Sequence, residues 1–150
     1  PRSGGALGAT GITAFKREGD QETPMDCFAL REVLFRPDRE DAPETVLDCA
    51  PLEQSSAWCA DPGDEAYNQL VSLPYAGHAE SLWREDGCYD IVVVMGYNDR
   101  PIVPGYGSAV FLHVADADFS PTKGGIALAR EDLLAFLRAC STDSRICIVG

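Results

Sequence analysis

Positive charge is scarce in this chain. Of its 150 residues twelve are Lys or Arg, against twenty-four Asp or Glu, for a formal charge of -12. A surface of that sign repels a phosphate backbone, so nucleic acid is not an expected partner. Long apolar runs are also missing. The longest, Ile91 to Met95, is far too short to span a bilayer, and no membrane insertion is expected. The N-terminal Pro-Arg-Ser-Gly-Gly has no apolar segment of the kind a secretory signal carries, and the start at Pro1 in place of Met is what a processed or trimmed form would show. No C-x-x-C pair occurs, and His78 and His113 are the only histidines, so neither a metal nor another cofactor is expected. There is no internal repeat.

What is present suits one globular domain covering residues 1–150. Hydrophobic residues make up 45% and charged residues 24%, enough to bury a single core. The six cysteines, Cys27, Cys49, Cys59, Cys88, Cys140 and Cys147, allow up to three disulfides or a set of free thiols. The acidic balance tolerates a substrate bearing ammonium groups, but its plainer meaning is solubility.

Strand formers dominate the chain. Residues 11–17 and 27–35 are expected to form an early hairpin, the second strand half-buried through Phe28, Leu30 and Leu34. Residues 37–74 carry five prolines and no sustained period, and are expected to be one long connection pinned by Trp58, Tyr67 and Tyr75. Ala79 to Arg84 suits a short helical turn, and Tyr89 to Met95 a central strand. From Ser108 to Ala115 alternation sends Val110, Leu112 and Val114 one way and Ala109, Phe111 and His113 the other. A loop, 116–125, precedes a helix over Arg130 to Ala139, with Leu133, Leu134 and Leu137 at helical spacing, and a last strand over 145–149. The fold class is mostly β, sandwich-like or barrel-like, with one or two short helices.

From the residues alone, His113 is the one group titrating near neutrality on an ordered element. A strand-borne histidine is more often a satisfied structural residue, and His78 carries less weight still. Gly124-Gly125 most simply marks a turn, although such a bend can free backbone N–H groups to hold an oxyanion.

Three stretches read together are more specific. Tyr89 to Asp99 contains Gly-Tyr-Asn-Asp, Pro101 to Val114 contains Gly-Ser and Phe-Leu-His, and Ser120 to Leu128 reads Ser-Pro-Thr-Lys-Gly-Gly-Ile-Ala-Leu. Lys16 to Asp20 with Thr23-Pro24, Trp58 to Pro62, and Leu82 to Asp86 add to the pattern. The chain resembles the L,D-transpeptidase catalytic domains of the YkuD type, in their short branch with Pro-Thr-x-Gly-Cys-x-Ala-Leu. That resemblance implies the family's mostly-β fold with a cleft, an activity on peptidoglycan stem peptides, and a place in the bacterial periplasm or cell envelope. In the family a cysteine attacks the carbonyl after diaminopimelate, D-alanine leaves, and the acyl group passes to an amine or to water. His113 matches the base, Gly124 the backbone oxyanion donor, and Tyr97, Asn98, Ser108, Thr122 and Lys123 the cleft walls and substrate contacts.

The sequence departs from the pattern at the nucleophile, where Gly125 stands. Without a side chain there is no acyl-enzyme. Three accounts of this glycine stand side by side: a substitution introduced to trap a ligand or silence the enzyme, natural loss in a stem-peptide-binding or partner-binding pseudoenzyme, or a nucleophile supplied by another cysteine. Ile126-Ala127 also replace the arginine of the longer motif, so substrate carboxylate recognition would fall to Arg100, Lys123 or Arg130.

Overall fold

A computed structural model of the protein describes residues 5–149. It is mostly β with one helix, as expected, and its main sheet curls into a half-barrel. In chain order the strands are β1 (Gly5–Ala6), β2 (Ile12–Thr13), β3 (Thr23–Pro24), β4 (Asp26–Phe35), β5 (Cys49–Pro51), β6 (Ser56–Cys59), β7 (Leu70–Ser72), β8 (Ala79–Ser81), β9 (Ile91–Met95), β10 (Phe111–Val114), β11 (Ile126–Leu128) and β12 (Arg145–Ile148). The helix, α1 (Arg130–Ala139), lies between the last two strands.

The main sheet runs β1-β11-β10-β9-β4-β12, with β5 beside the far half of β4. β9 explains why this sheet is central. All five of its residues are buried, and alternation splits them between two cores: Ile91, Val93 and Met95 in one, Val92 and Val94 in the other. The first core takes Leu133 and Leu137 from α1, one turn apart on its inner face. Glu131 and Asp132 in the first turn of α1 and Arg138 in the last complement its dipole. The second core lies under a three-stranded sheet, β7-β6-β8, and is filled by Leu34, Trp58, Leu82 and Phe111.

Several expectations are corrected. The early hairpin does not form: β2 pairs in parallel with β3, and the long β4 finds its partners in β9, β5 and β12. The stretch 37–74 is not one connection, since β5, β6 and β7 lie within it. Residues 79–81 extend as β8 on β6 and make no helical turn, because Ala79 to Ser81 supply an edge partner for Ala57 to Cys59. Trp58 and Tyr67 are buried pins, while half-buried Tyr75 donates its hydroxyl to Asp64. Of the six cysteines only Cys27 and Cys147 are joined, directly opposite each other on β4 and β12; Cys49, Cys59, Cys88 and Cys140 are free.

β10 and β11 pair in parallel, His113 opposite Ala127. Parallel neighbours cannot be joined by a tight turn, so residues 115–125 must travel back along the sheet before β11 starts. That return ends in the bend at Gly124 and Gly125, beside Phe111 and His113. The topology therefore brings the two together.

Candidate functional site

Alternation along β10 decides where His113 points. Val110 and Leu112 enter the first core; Phe111 enters the second, and His113 continues its row to the edge of that core. Its ring meets Tyr89 edge-to-face at 5.3 Å, and Tyr89 meets Phe111 in the same way at 5.9 Å. His113 is 8% exposed. Its Nδ1 lies 3.1 Å from the Val114 carbonyl; with the proton on Nδ1 this is a hydrogen bond donated to that oxygen, and Nε2 is left as an acceptor. Burial pushes the imidazole below the usual histidine range. The Val114 carbonyl and Asp86 oppose that shift and Arg84 adds to it. A neutral ring with a free Nε2 is the form a general base needs.

The Nε2 edge faces residue 125. A Cβ built on Gly125 would lie 3.4 Å from both Nε2 and Cδ2 of His113. The same Cβ would lie 2.6 Å from the Phe111 carbonyl oxygen, closer than side-chain carbons approach, so the backbone here is fitted to glycine. The bend is tied down on its other side. Thr122 donates its hydroxyl to the Gly125 carbonyl at 2.6 Å and accepts the Gly124 N–H at 3.2 Å. Thr122 itself exchanges backbone hydrogen bonds with Leu7 and Ala9. Gly124 has φ +134°, a conformation that a side chain would strain.

The oxyanion donor expected at Gly124 is thus already occupied by Thr122, whereas the Gly125 N–H has no acceptor among the described residues. It is a donor left available at the bend.

His113 and Gly125 open onto a cavity of about 510 Å³. Ser108, Thr122 and Lys123 line it. Tyr97 and Asn98 do not. Tyr97 packs edge-to-face on Phe28 at 5.7 Å and donates its hydroxyl to the Tyr106 carbonyl. Asn98, at φ +50°, clamps the following loop: it donates to the Val103 and Gly107 carbonyls and accepts the Val103 N–H. Both organise the loop behind Ser108. Arg130 pairs with Glu40 and Glu131, and neither it nor Arg100 lines the cavity. His78 is likewise outside it.

The structure adds residues that the motif assignment left out. Arg84 reaches the cavity with its guanidinium 4.5 Å over the Tyr89 ring and bonded to Asp86. Burial would raise the Asp86 carboxyl, but Arg84 and the Cys88 N–H outweigh it and hold the group below the ordinary carboxylate range. On the opposite wall Glu18 accepts two hydroxyl hydrogen bonds at 2.7 Å, from Tyr67 and from Ser108. Lys16, 6% exposed, donates to Asp20 and to the Arg17 carbonyl. Burial raises Asp20, yet the hydrogen bonds from Lys16 and from the Arg17 and Glu22 N–H groups bring it down overall.

Of the four free cysteines Cys88 alone lines this cavity. Burial and Asp86 push its thiol up, the reverse of what activates a nucleophile. Among the described residues no group of three or more His, Cys, Asp or Glu side chains is placed to hold a metal ion, and no helix is long and apolar enough to cross a membrane. No protein-family model, curated protein or solved structure matches the chain.

Proposed function

We propose that this chain is an L,D-transpeptidase-type domain that receives peptidoglycan stem peptides in the His113 cavity, and that Gly125 deprives it of the covalent step. The observation that carries this reading is the 3.4 Å between the Cβ position of residue 125 and His113 Nε2. It is the separation at which a side chain on residue 125 would meet a base.

Cysteine at 125 restores the covalent step. His113 Nε2 takes the thiol proton, and the sulfur attacks the carbonyl between diaminopimelate and the terminal D-alanine. The Gly125 N–H, now that of the cysteine, receives the oxyanion. The C–N bond breaks, the imidazolium returns its proton to the departing amine, and D-alanine leaves. An amine or water then resolves the thioester. The mixed lining supports a zwitterionic substrate, with Lys123 available to carboxylates and Glu80 and the second carboxylate oxygen of Glu18 to ammonium groups. The Cys27–Cys147 bond fits the oxidising bacterial envelope in which such a substrate occurs.

The 2.6 Å between the Cβ position of residue 125 and the Phe111 carbonyl favours a second reading, a module that binds stem peptides without turnover. One pair of assays separates the two. Calorimetric titration of the chain with a tetrapeptide muropeptide is expected to show binding, and Gly125→Cys is expected to release D-alanine from it. Binding with no release in a folded Gly125→Cys variant supports the module. The absence of both binding and release overturns the proposal.

A further inference from the structure

A second cavity, of about 200 Å³, lies between the main sheet and the β6-β7-β8 sheet and shares no lining residue with the His113 cavity. It owes its character to an irregularity in β4. The pairing of β4 with β9 shifts between Leu30 and Glu32, so that Leu30 faces Met95 while Glu32 faces Val94. A β-bulge of this kind resets alternation. Beyond it Glu32 and Leu34 fall on the face that meets the second core, and a carboxylate ends a row of otherwise apolar residues.

Trp58, Leu70, Val94 and Phe111 supply apolar walls. Trp58 spends its indole N–H on Asn68 Oδ1 at 2.8 Å, leaving only its ring surface to a guest. Asp99, also at this cavity, is neutralised by Arg31 through a bidentate contact at 2.8 and 3.3 Å. Glu32 has no cation within 4.0 Å among the described residues, although it is half-buried. The cavity therefore offers one uncompensated negative charge, aromatic and aliphatic walls, and no positive group of its own. Anions are excluded, and neutral apolar molecules leave the carboxylate unpaired. The volume falls below the ~300–1,000 Å³ of pockets for drug-sized molecules, which limits the guest to a small fragment.

We infer that this cavity binds a primary amine on a short apolar stem, its ammonium against Glu32 and its stem between Trp58, Leu70 and Val94. This does not depend on the reading of the His113 site. The complementarity is a charge-assisted hydrogen bond at one end and buried hydrocarbon at the other, helped by the aromatic faces. For a ligand of so few atoms a dissociation constant on the order of 1 mM is the natural scale.

The test is a ¹H–¹⁵N NMR titration of the intact chain with n-hexylammonium chloride, n-hexanol and sodium hexanoate at constant ionic strength. Saturable shifts at Glu32, Gln69 and Val94 are expected, with hexylammonium about tenfold tighter than hexanol and hexanoate not bound. In Glu32→Gln the amine should fall to the affinity of hexanol, and hexanol binding should persist, showing that the apolar walls are intact. Glu32→Asp, which keeps the charge, should retain a preference for the amine. Equal affinities for hexylammonium and hexanol in the parent chain overturn the inference. So does a preference that survives Glu32→Gln, a Glu32→Asp variant that behaves like Glu32→Gln, or shifts centred on Glu18 and Asp86 in the other cavity.

Discussion

The Nε2 edge of His113 and the Cβ position of residue 125 stand 3.4 Å apart at the juncture of two parallel strands, with Thr122 holding the bend and Tyr89 holding the ring. The same bend presses toward the Phe111 carbonyl. A side chain at 125 therefore gains a base and loses some fit.

That conflict has a measurable cost. Gly125→Ala and Gly125→Cys should each destabilise the fold by about 1–3 kcal/mol, the range for overpacking a tight site. The thermal midpoint should fall by roughly 2–4 °C per kcal/mol for a chain of this size. Thermal unfolding followed by circular dichroism checks this, and an unchanged midpoint would show that the backbone yields freely at Phe111.

Burial of His113 has a pH signature. Its folded pKa lies below the unfolded value, so the unfolded chain binds the extra proton, and stability is complete above about pH 6.5 and declines as pH falls through the folded pKa. The lowered carboxylates Asp20 and Asp86 contribute in the same direction, but in a separate window below their ordinary value of 3.8. Urea unfolding of the parent between pH 7.5 and 5 should show the first decline, and His113→Gln should flatten it. An equal slope in both proteins would place the titration elsewhere.

Cys27 and Cys147 close a loop 120 residues apart in sequence and fasten the edge strand β12 to β4. Replacing both by serine should cost about 2–4 kcal/mol, chiefly through the freedom regained by the unfolded chain. Hydrogen exchange in Arg145–Ile148 should rise before exchange in β9. If the double variant unfolds at the parent's denaturant midpoint, the bond contributes nothing.

Glu18 gathers the hydroxyls of Tyr67 and Ser108, and the Tyr67 hydroxyl in turn accepts the Gly107 N–H at 3.1 Å. Glu18→Ala strands a buried donor and should cost about 1–3 kcal/mol. Glu18→Gln keeps an acceptor and should recover most of that loss. Chemical denaturation of the two variants distinguishes them; equal losses would mean that charge, and not hydrogen bonding, is what the network needs.

The sequence carried some of this arrangement openly. Alternation from Val110 to Val114 placed His113 on the Phe111 face, the largely apolar run Tyr89 to Met95 marked a central strand, and Leu133, Leu134 and Leu137 at helical spacing marked α1, of which Leu133 and Leu137 are the buried pair. The second sheet was hidden because its strands are three or four residues long, too short to show a period, and earn their pairing only across loops. Asn98 looked like a cleft residue, but its positive φ and its three hydrogen bonds to the loop make it a turn residue. Glu18, Arg84 and Tyr89 come from distant segments, and pairing across such separations leaves no local trace. The runs Lys16–Asp20, Leu82–Asp86 and Tyr89–Asp99 held the signal for all three.

The most direct test of the account is the intact mass of Gly125→Cys after incubation with a tetrapeptide stem ending in D-alanine. The account predicts an adduct equal to the stem acyl group without its D-alanine, absent from the parent chain and from Gly125→Cys combined with His113→Gln. A folded Gly125→Cys protein that binds the peptide and gains no such mass would contradict it.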